Sequence, residues 1–161
     1  MQLIDTHTHL YVHQFEQDRA ETIARAEATG VEKFYLPAID SETHEAMLNL
    51  EVTYPKSCFA MMGLHPCSVK ADYDKELKIV EEWLSKRPFC AVGEIGIDLH
   101  WDTTFFEQQK EAFRRQISWA KDLDVPIVIH SRKSTWEVIE ILRAEKSEKL
   151  RGIFHCFGGT V

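Results

Sequence analysis

The sequence predicts an α/β protein of the TIM-type (β/α)8 barrel class, of which about the first six βα units are present. Short apolar runs alternate with longer amphipathic stretches from end to end, which is typical of parallel strands joined by right-handed helical crossovers. Side chains that bind metals follow most of the apolar runs, at the strand ends where a barrel carries its active site. We expect residues 1–161 to form one domain.

The six apolar runs, mostly rich in Val, Ile and Phe, fit buried parallel strands. They cover Leu3–Thr6, Lys33–Ile39, Cys58–Leu64, Cys90–Ile97, Pro126–His130 and Gly152–Phe157. A barrel needs eight strands and typically about 250 residues. We therefore interpret this chain as an incomplete barrel, the N-terminal part of a domain whose C-terminal strands are missing.

The first three stretches between the runs are predicted to be helices. The first ends at Gly30, and Ser41 is a candidate cap for the second. The third places Leu77, Val80 and Leu84 on one face. The predicted inner face of the first helix consists of Ala20, Ile23, Ala24 and Ala28.

Two further helices are predicted by capping-box spacing. Thr104 and Glu107 have this spacing before the fourth helix, and Ser134 and Glu137 have it before the fifth. The predicted inner residues are Phe106, Phe113, Ile117 and Ala120 in the fourth helix, and Val138, Ile139 and Leu142 in the fifth.

The first βα turn separates two architectures that this alternation allows. A doubly wound dinucleotide-binding fold carries a glycine-rich phosphate loop there. The turn Thr6-His7-Thr8-His9-Leu10 contains no glycine, so the barrel is favoured.

Composition restricts the class of protein. Charged residues make up 28% of the chain, and its net charge is −7, which argues against a broad cationic surface for coating a duplex. We see no membrane span and no signal peptide. The four cysteines form no C-x-x-C pair, and we expect them to be reduced thiols of a cytoplasmic protein.

Histidines and one glutamate at the strand ends predict a metal centre. His7 and His9 are two residues apart and point to the same side of a strand, so both can reach one cation. Glu94 lies between glycines, and its two oxygens can bridge two cations, with His130 and His155 holding the second. Two-metal sites stabilise both the attacking and the leaving oxygen of a displacement.

Five motifs in this order resemble the TatD family of metal-dependent hydrolases, in the amidohydrolase-like barrel superfamily. They are Ile4-Asp5-Thr6-His7-Thr8-His9, Gly63-Leu64-His65-Pro66, Gly93-Glu94-Ile95-Gly96-Ile97-Asp98, Ile129-His130-Ser131-Arg132 and Phe154-His155-Cys156-Phe157-Gly158-Gly159. The resemblance covers the whole chain. It implies two divalent cations held by His7, His9, Glu94, His130 and His155, with Glu94 as the bridging catalytic carboxylate.

The resemblance also implies a further aspartate, in a Thr-Asp-Ser-Pro-like motif after a later strand, that binds the first metal and helps position or deprotonate the attacking water. The chain stops before that motif. We therefore expect residues 1–161 alone to be a poor hydrolase and a marginal fold.

Other polar residues are candidates for supporting roles. His65 and Arg132 are candidate substrate-binding residues because a guanidinium suits phosphate oxygens. Asp98 is a candidate for orienting a ligand histidine from behind. His100 and Trp101 are placed at the mouth or on an exposed loop. We expect Tyr11 and Phe15 to pack in the core, and His13 and His44 to lie on the surface.

The expected function is hydrolysis of phosphodiesters, and the resemblance implies a deoxyribonuclease of exonuclease type acting on DNA. One alternative is a hydrolase of small amides, lactones or phosphoesters on the same scaffold. A second is a catalytically incomplete fragment or binding protein. The mixed ligand set fits Zn²⁺, Mn²⁺, Ni²⁺ or Fe²⁺, whereas Mg²⁺ prefers oxygen ligands. The sequence leaves the oligomeric state open.

Overall fold

The protein, described by a computed structural model over residues 2–158, consists of six strands and five α-helices in strict alternation. The strands are β1 Leu3–Asp5, β2 Val31–Pro37, β3 Cys58–Met61, β4 Val92–Asp98, β5 Ile127–Arg132 and β6 Gly152–Phe154. The helices are α1 Arg19–Ala28, α2 Ser41–Thr53, α3 Tyr73–Lys86, α4 Phe106–Leu123 and α5 Thr135–Ala144. The predicted order of strands and helices is confirmed.

The strands form two three-stranded parallel sheets, in the orders β1-β2-β3 and β4-β5-β6. The sheets meet between β3 and β4, where Met62 and Val92 form a parallel bridge. The Ala38 amide also donates to the Gly93 carbonyl at 3.0 Å. The carboxyl ends of the strands therefore lie at a common edge. Parallel sheets whose strands alternate with helices are an α/β architecture. Closure of the two sheets into a barrel stays a prediction.

The core lies between the strands and the helices that cover them. Leu77, Val80 and Leu84 of α3 are buried as predicted, and so are Phe113, Ile117 and Ala120 of α4. No helix within residues 2–158 is long and apolar enough to cross a membrane. All four cysteines are free thiols, as predicted.

Three of the four residues predicted for the inner face of α1 are wrong. Ala20, Ala24 and Ala28 are exposed, whereas Ile23 is buried and Ala26 packs beside it against the core. Ile23 and Ala26 are three positions apart and share a face of the helix. This face packs against the core, and the face that carries the three exposed alanines does not. A methyl group gains little from burial, and the single large side chain sets the orientation.

Three predicted helix starts differ in detail. Asp40, and not Ser41, precedes α2, and Ser41 donates through its backbone N and Oγ to Glu76 at 2.9 and 2.6 Å. Helix α4 starts at Phe106 because the Thr104 amide is already bound to Asp102 at 2.9 Å. Ser134 does precede α5, but no side-chain cap forms.

Two buried positions were predicted incorrectly. His44 was predicted to lie on the surface, but it is only 2% exposed and packs with Met47 and Leu50 on the inner face of α2. In α5, Val138 is buried as predicted, but its buried neighbour is Ile141 and not Ile139. His13 is exposed as predicted.

Candidate metal centre

The five predicted metal ligands meet in one cavity of about 720 Å³ at the carboxyl ends of the strands. Glu94 lies within β4 and His130 within β5, whereas the other three ligands follow β1 and β6. The predicted substrate-binding residues His65 and Arg132 face the same space. The lining consists of His7, Thr8, His9, Phe15, His65, Glu94, His130, Ser131, Arg132, His155 and Cys156.

Glu94 is the centre of this cluster. Its Oε2 lies 2.9 Å from Nε2 of His7, 3.5 Å from Nε2 of His9 and 3.7 Å from Nε2 of His65. Its other oxygen, Oε1, lies 2.9 Å from Nδ1 of His130. Glu94 is 2% exposed, so one buried carboxylate faces four imidazole rings from three different strand ends.

Glycines beside Glu94 let β4 approach β5 closely enough for this arrangement. A Cβ on Gly93 would lie 2.7 Å from the Cβ of Val128. Gly96 has a φ of +145°, and a Cβ there would lie 2.0 Å from the His130 carbonyl oxygen. Side chains at these two positions would therefore push Glu94 and His130 apart.

Asp98 holds His130 from the far side. Its Oδ2 lies 2.8 Å from Nε2 of His130, and its Oδ1 accepts from the backbone amides of His100 and Trp101 at 2.8 and 3.1 Å. A carboxylate on Nε2 favours the tautomer in which Nδ1 carries the free lone pair. A cation beside Glu94 would bind that lone pair, whereas the 2.9 Å contact of Nδ1 with Oε1 of Glu94 is a hydrogen bond when His130 is protonated.

The β1 histidines are held by a different set of contacts. The rings of His7 and His155 stack at a centroid distance of 3.5 Å. Nδ1 of His9 lies 2.9 Å from the Tyr11 hydroxyl, which donates to the Pro37 carbonyl. Tyr11 is buried as predicted, but its contact with His9 was not anticipated. Tyr11 follows His9 by two residues, and this spacing is the signal that could have indicated the contact.

The electrostatics favour an ionised carboxylate at Glu94. Burial alone raises the pKa of Glu94, but hydrogen bonds from His130, His7 and His9 outweigh burial and hold it far below its usual range. Burial lowers the pKa of His65 to about 4. The pKa of His130 is instead raised, because hydrogen bonds to Glu94 and Asp98 exceed the effect of burial.

These residues fit a divalent cation on the chemistry of the site itself. Neutral imidazole nitrogens and carboxylate oxygens are metal ligands, and here they converge on a small buried volume. His7, His9 and Glu94 each offer a ligand atom within 4.8 Å of the others. Nδ1 of His7 is buried without a hydrogen-bond partner among the described residues, so the ring is not fully satisfied by the protein.

The outer rim combines a cation with an aromatic ring. The guanidinium of Arg132 lies 5.2 Å from the ring centroid of Trp101, which is 70% exposed. His100 packs edge-on against the same ring at 4.6 Å. This geometry places Trp101 at the mouth, beside an Arg132 that lines the cavity.

Two buried glutamines of α4 hold the backbone beside the site and were not predicted from the sequence. Gln116 accepts from the Leu64 amide at 2.7 Å and donates to the Leu64 carbonyl at 3.3 Å. Gln109 makes the same pair of bonds to Asp98, at 2.8 and 3.3 Å. Their spacing of seven residues places both on one face of the helix, which was the available signal.

Comparisons with known proteins identify relatives of this chain. The family model described as TatD related DNase matches residues 4–161. The metal-dependent hydrolase YabD of Bacillus subtilis (strain 168) is 37% identical over 98% of this chain and 62% of its own length. A 3'-5' ssDNA/RNA exonuclease TatD of Pectobacterium atrosepticum is 28% identical over 98% of this chain and 61% of its own length.

Solved structures share the fold. The TatD homologue YjjV of Escherichia coli K12 superposes with a TM-score of 0.89 at 33% identity, over 98% of this chain and 61% of that one. A hydrolase of the TatD family from Entamoeba histolytica gives a TM-score of 0.78 at 21% identity, over 99% and 60%. This chain spans about three-fifths of the length of the curated relatives it matches.

Proposed function

Because this chain belongs to the family of TatD-related DNases, we propose that its Glu94–histidine cluster is the centre of a metal-dependent hydrolase of phosphodiester bonds. The observation that carries the proposal is the contact of one buried carboxylate with imidazole nitrogens from three strand ends. A structural ion pair needs one partner for a carboxylate, whereas a metal centre needs several converging donors.

We assign His7, His9 and Glu94 to one cation, and Glu94, His130 and His155 to a second. When bound, such cations would polarise a phosphoryl oxygen and lower the pKa of a coordinated water. The imidazole-rich donor set favours Zn²⁺, Mn²⁺ or Ni²⁺ over Mg²⁺.

The protein's own residues then have separate tasks. Glu94 stays ionised over the whole working pH range because its pKa is lowered by its histidine partners. Asp98 fixes the ring of His130 by accepting from Nε2. Arg132 lines the cavity from an exposed position and supplies a guanidinium for a phosphate oxygen. His65, neutral at pH 7, offers a lone pair or a hydrogen bond to the substrate.

We propose DNA as the substrate, cleaved from an end, with another phosphodiester as the wider class. Relatives named as 3'-5' ssDNA/RNA exonucleases support this choice. The exposed Trp101 beside Arg132 supports it too, because aromatic rings stack on the bases of single strands. Because the chain has a net charge of −7, its recognition of DNA depends on local contacts such as those of Trp101 and Arg132.

The rival is a hydrolase of small amides, lactones or phosphoesters at the same centre. The negative net charge is the observation that favours it, since an acidic surface repels a polyanion.

The experiment is an activity panel with metal control. The protein is treated with a chelator, supplied with Mn²⁺, Zn²⁺, Ni²⁺ or Mg²⁺, and incubated with end-labelled single-stranded and double-stranded DNA, RNA, a chromogenic phosphodiester and a lactone. We expect metal-dependent shortening of the single strand from one end. Turnover of the small substrates alone would favour the rival, and no turnover of any substrate would indicate a non-catalytic protein.

A further inference from the structure

A second group of metal-ligating side chains overlaps the Glu94 cluster through two of its histidines and adds a thiol that the cluster does not use. One nitrogen of His65, one nitrogen of His130 and the thiol sulfur of Cys67 all lie within 4.8 Å of one another. The three residues are half-buried, not loose surface side chains. A thiol and two imidazoles are the donor types that Zn²⁺ and similar cations bind in proteins.

The local backbone brings the thiol and one imidazole together. His65 precedes the short 3-10 helix Pro66–Ser68, and the Cys67 amide donates to Nδ1 of His65 at 3.1 Å. In the neutral ring this bond leaves the proton on Nε2, so Nε2 becomes a ligand nitrogen only when that proton moves to Nδ1 and the bond from the Cys67 amide opens. Gln116 holds the preceding residue, Leu64, through both of its backbone groups, so the histidine is carried on a braced segment.

His130 is shared between the two groups. Its Nδ1 lies 2.9 Å from Oε1 of Glu94 and 3.2 Å from Nε2 of His65. An imidazole nitrogen has one lone pair, and the other nitrogen of His130 is occupied by Asp98 at 2.8 Å. His130 can therefore serve a cation beside Glu94 or a cation beside Cys67, but not both.

We propose that His65, Cys67 and His130 form a further site for a thiophilic divalent cation of the Zn²⁺ class, in competition with the Glu94 centre. Binding converts the Cys67 thiol to a thiolate and releases its one proton to solvent, while the ring proton of His65 moves from Nε2 to Nδ1, so that both imidazoles bind as neutral ligands. The carboxylates of Asp98 and Glu94, which contact His130 from both sides, balance the added positive charge.

Cobalt is the probe for this site, because a Co²⁺–thiolate bond gives an intense near-ultraviolet charge-transfer absorption that oxygen and nitrogen ligands do not give. The protein is titrated with Co²⁺ under reducing conditions while absorbance and bound metal are recorded. The wild type is expected to develop the thiolate band. Cys67→Ser is expected to lose the band and to bind one Co²⁺ fewer.

Cys156→Ser is the matched control, because Cys156 also lines the cavity but belongs to no ligand group among the described residues. This variant should keep the band. His65→Gln keeps the thiol and should weaken the Co²⁺ affinity of this site by more than about tenfold, since loss of groups that only support a ligand already costs about 10–100-fold. A band that is absent from the wild type, persists in Cys67→Ser or disappears in Cys156→Ser would overturn the proposal.

A second readout rests on the proposed hydrolase function. Excess Zn²⁺ should inhibit the wild type by taking His130 from the Glu94 centre, and Cys67→Ser should resist that inhibition relative to its own uninhibited rate. The cobalt band needs no turnover, so failure of the function and failure of this site are distinguishable. Equal inhibition of both proteins by Zn²⁺ would contradict the competition.

Discussion

At the scale of single residues, Glu94 combines burial with an ionised state. Removing an ionised carboxylate from water without partners is strongly unfavourable, and the structure compensates with four imidazole rings within 3.7 Å. The same contacts lower the pKa of Glu94 despite its burial. A side chain stabilised in this way is suited to hold cations, because its lowered pKa keeps it ionised near neutral pH.

The first prediction concerns this charge. Glu94→Gln should lower bound metal and hydrolysis together, because an amide offers one neutral oxygen and cannot replace a carboxylate that coordinates through two. Bound metal is measured by mass spectrometry of the elements after dialysis, and hydrolysis by turnover of end-labelled DNA.

Glu51→Gln is the control for Glu94→Gln. Glu51 is half-buried and, like Glu94, hydrogen-bonded, to the Ala60 amide and to Arg87, but it lies outside the cavity. The Glu51→Gln protein should keep its bound metal. Full metal content and normal turnover in Glu94→Gln would refute the bridging role.

The second prediction is a pH dependence of stability set by His44. Burial lowers its pKa, against the opposite effects of the Gly63 backbone, Glu76 and Asp40. Below the unfolded pKa of about 6.5, the unfolded chain binds a proton that the native state excludes. The free energy of unfolding should therefore fall as the pH is lowered from about 6.5 toward the native pKa of His44.

His44→Met removes this titration and keeps an apolar side chain of similar size on α2. Denaturant unfolding of both proteins at pH 7.5 and 5.5 gives the difference, since the other histidines titrate in both. We expect a smaller loss of stability in the variant. Equal losses would show that His44 does not contribute.

At the scale of elements, α4 connects the core to the site. Its apolar face packs inward, and Gln109 and Gln116 on the same side fix the backbone at the carboxyl ends of β4 and β3. These bonds hold the backbone of Asp98 and Leu64 in place. The residues that follow them in sequence and face the cavity are thereby positioned as well. The helix therefore positions two separate strand ends.

The third prediction tests this brace. Gln116→Leu leaves the Leu64 amide and carbonyl without their partners, and an unsatisfied buried group costs about 1–3 kcal/mol. The free energy of unfolding should fall by about that amount, and metal affinity should weaken because His65 follows Leu64 directly. Gln108→Leu on the same helix, a less buried glutamine, should change stability by no more than about 0.5 kcal/mol. Similar small changes in both variants would contradict the brace.

The elements also show why some features followed from the sequence and others did not. The strands and the residues that line the cavity were predictable, because a buried parallel strand is a continuous apolar run and its end is marked by His or Glu. Helix starts were not, since Thr104 has capping-box spacing but its amide is taken by Asp102. His44 could have been recognised, as it is spaced three residues from Met47 and six from Leu50 on the buried face of α2.

At the scale of the whole molecule, charge limits how a polyanion is bound. The net charge is −7, and Arg132 is the cationic side chain that lines the cavity among residues 2–158. Binding of single-stranded DNA should therefore release few counterions.

The fourth prediction follows from the small number of cationic contacts that this cavity offers to a single strand. Raising salt from about 50 to 200 mM should weaken single-strand binding only roughly threefold to sevenfold, as one or two phosphate contacts imply, whereas proteins with six to ten contacts lose about 10³–10⁵. Binding is measured by fluorescence anisotropy of a labelled oligonucleotide in Ca²⁺ to suppress turnover. A steep dependence would indicate a cationic surface that Arg132 does not account for.

The central claim is that Glu94 and its histidines form a metal centre, and anomalous X-ray diffraction from crystals grown with Mn²⁺ or Zn²⁺ tests it most directly. Data collected on both sides of the metal absorption edge locate the cation without reference to activity. We predict anomalous peaks in the cavity, one beside His7, His9 and Glu94 and one beside Glu94, His130 and His155. A cavity without an anomalous peak at saturating metal would contradict the claim.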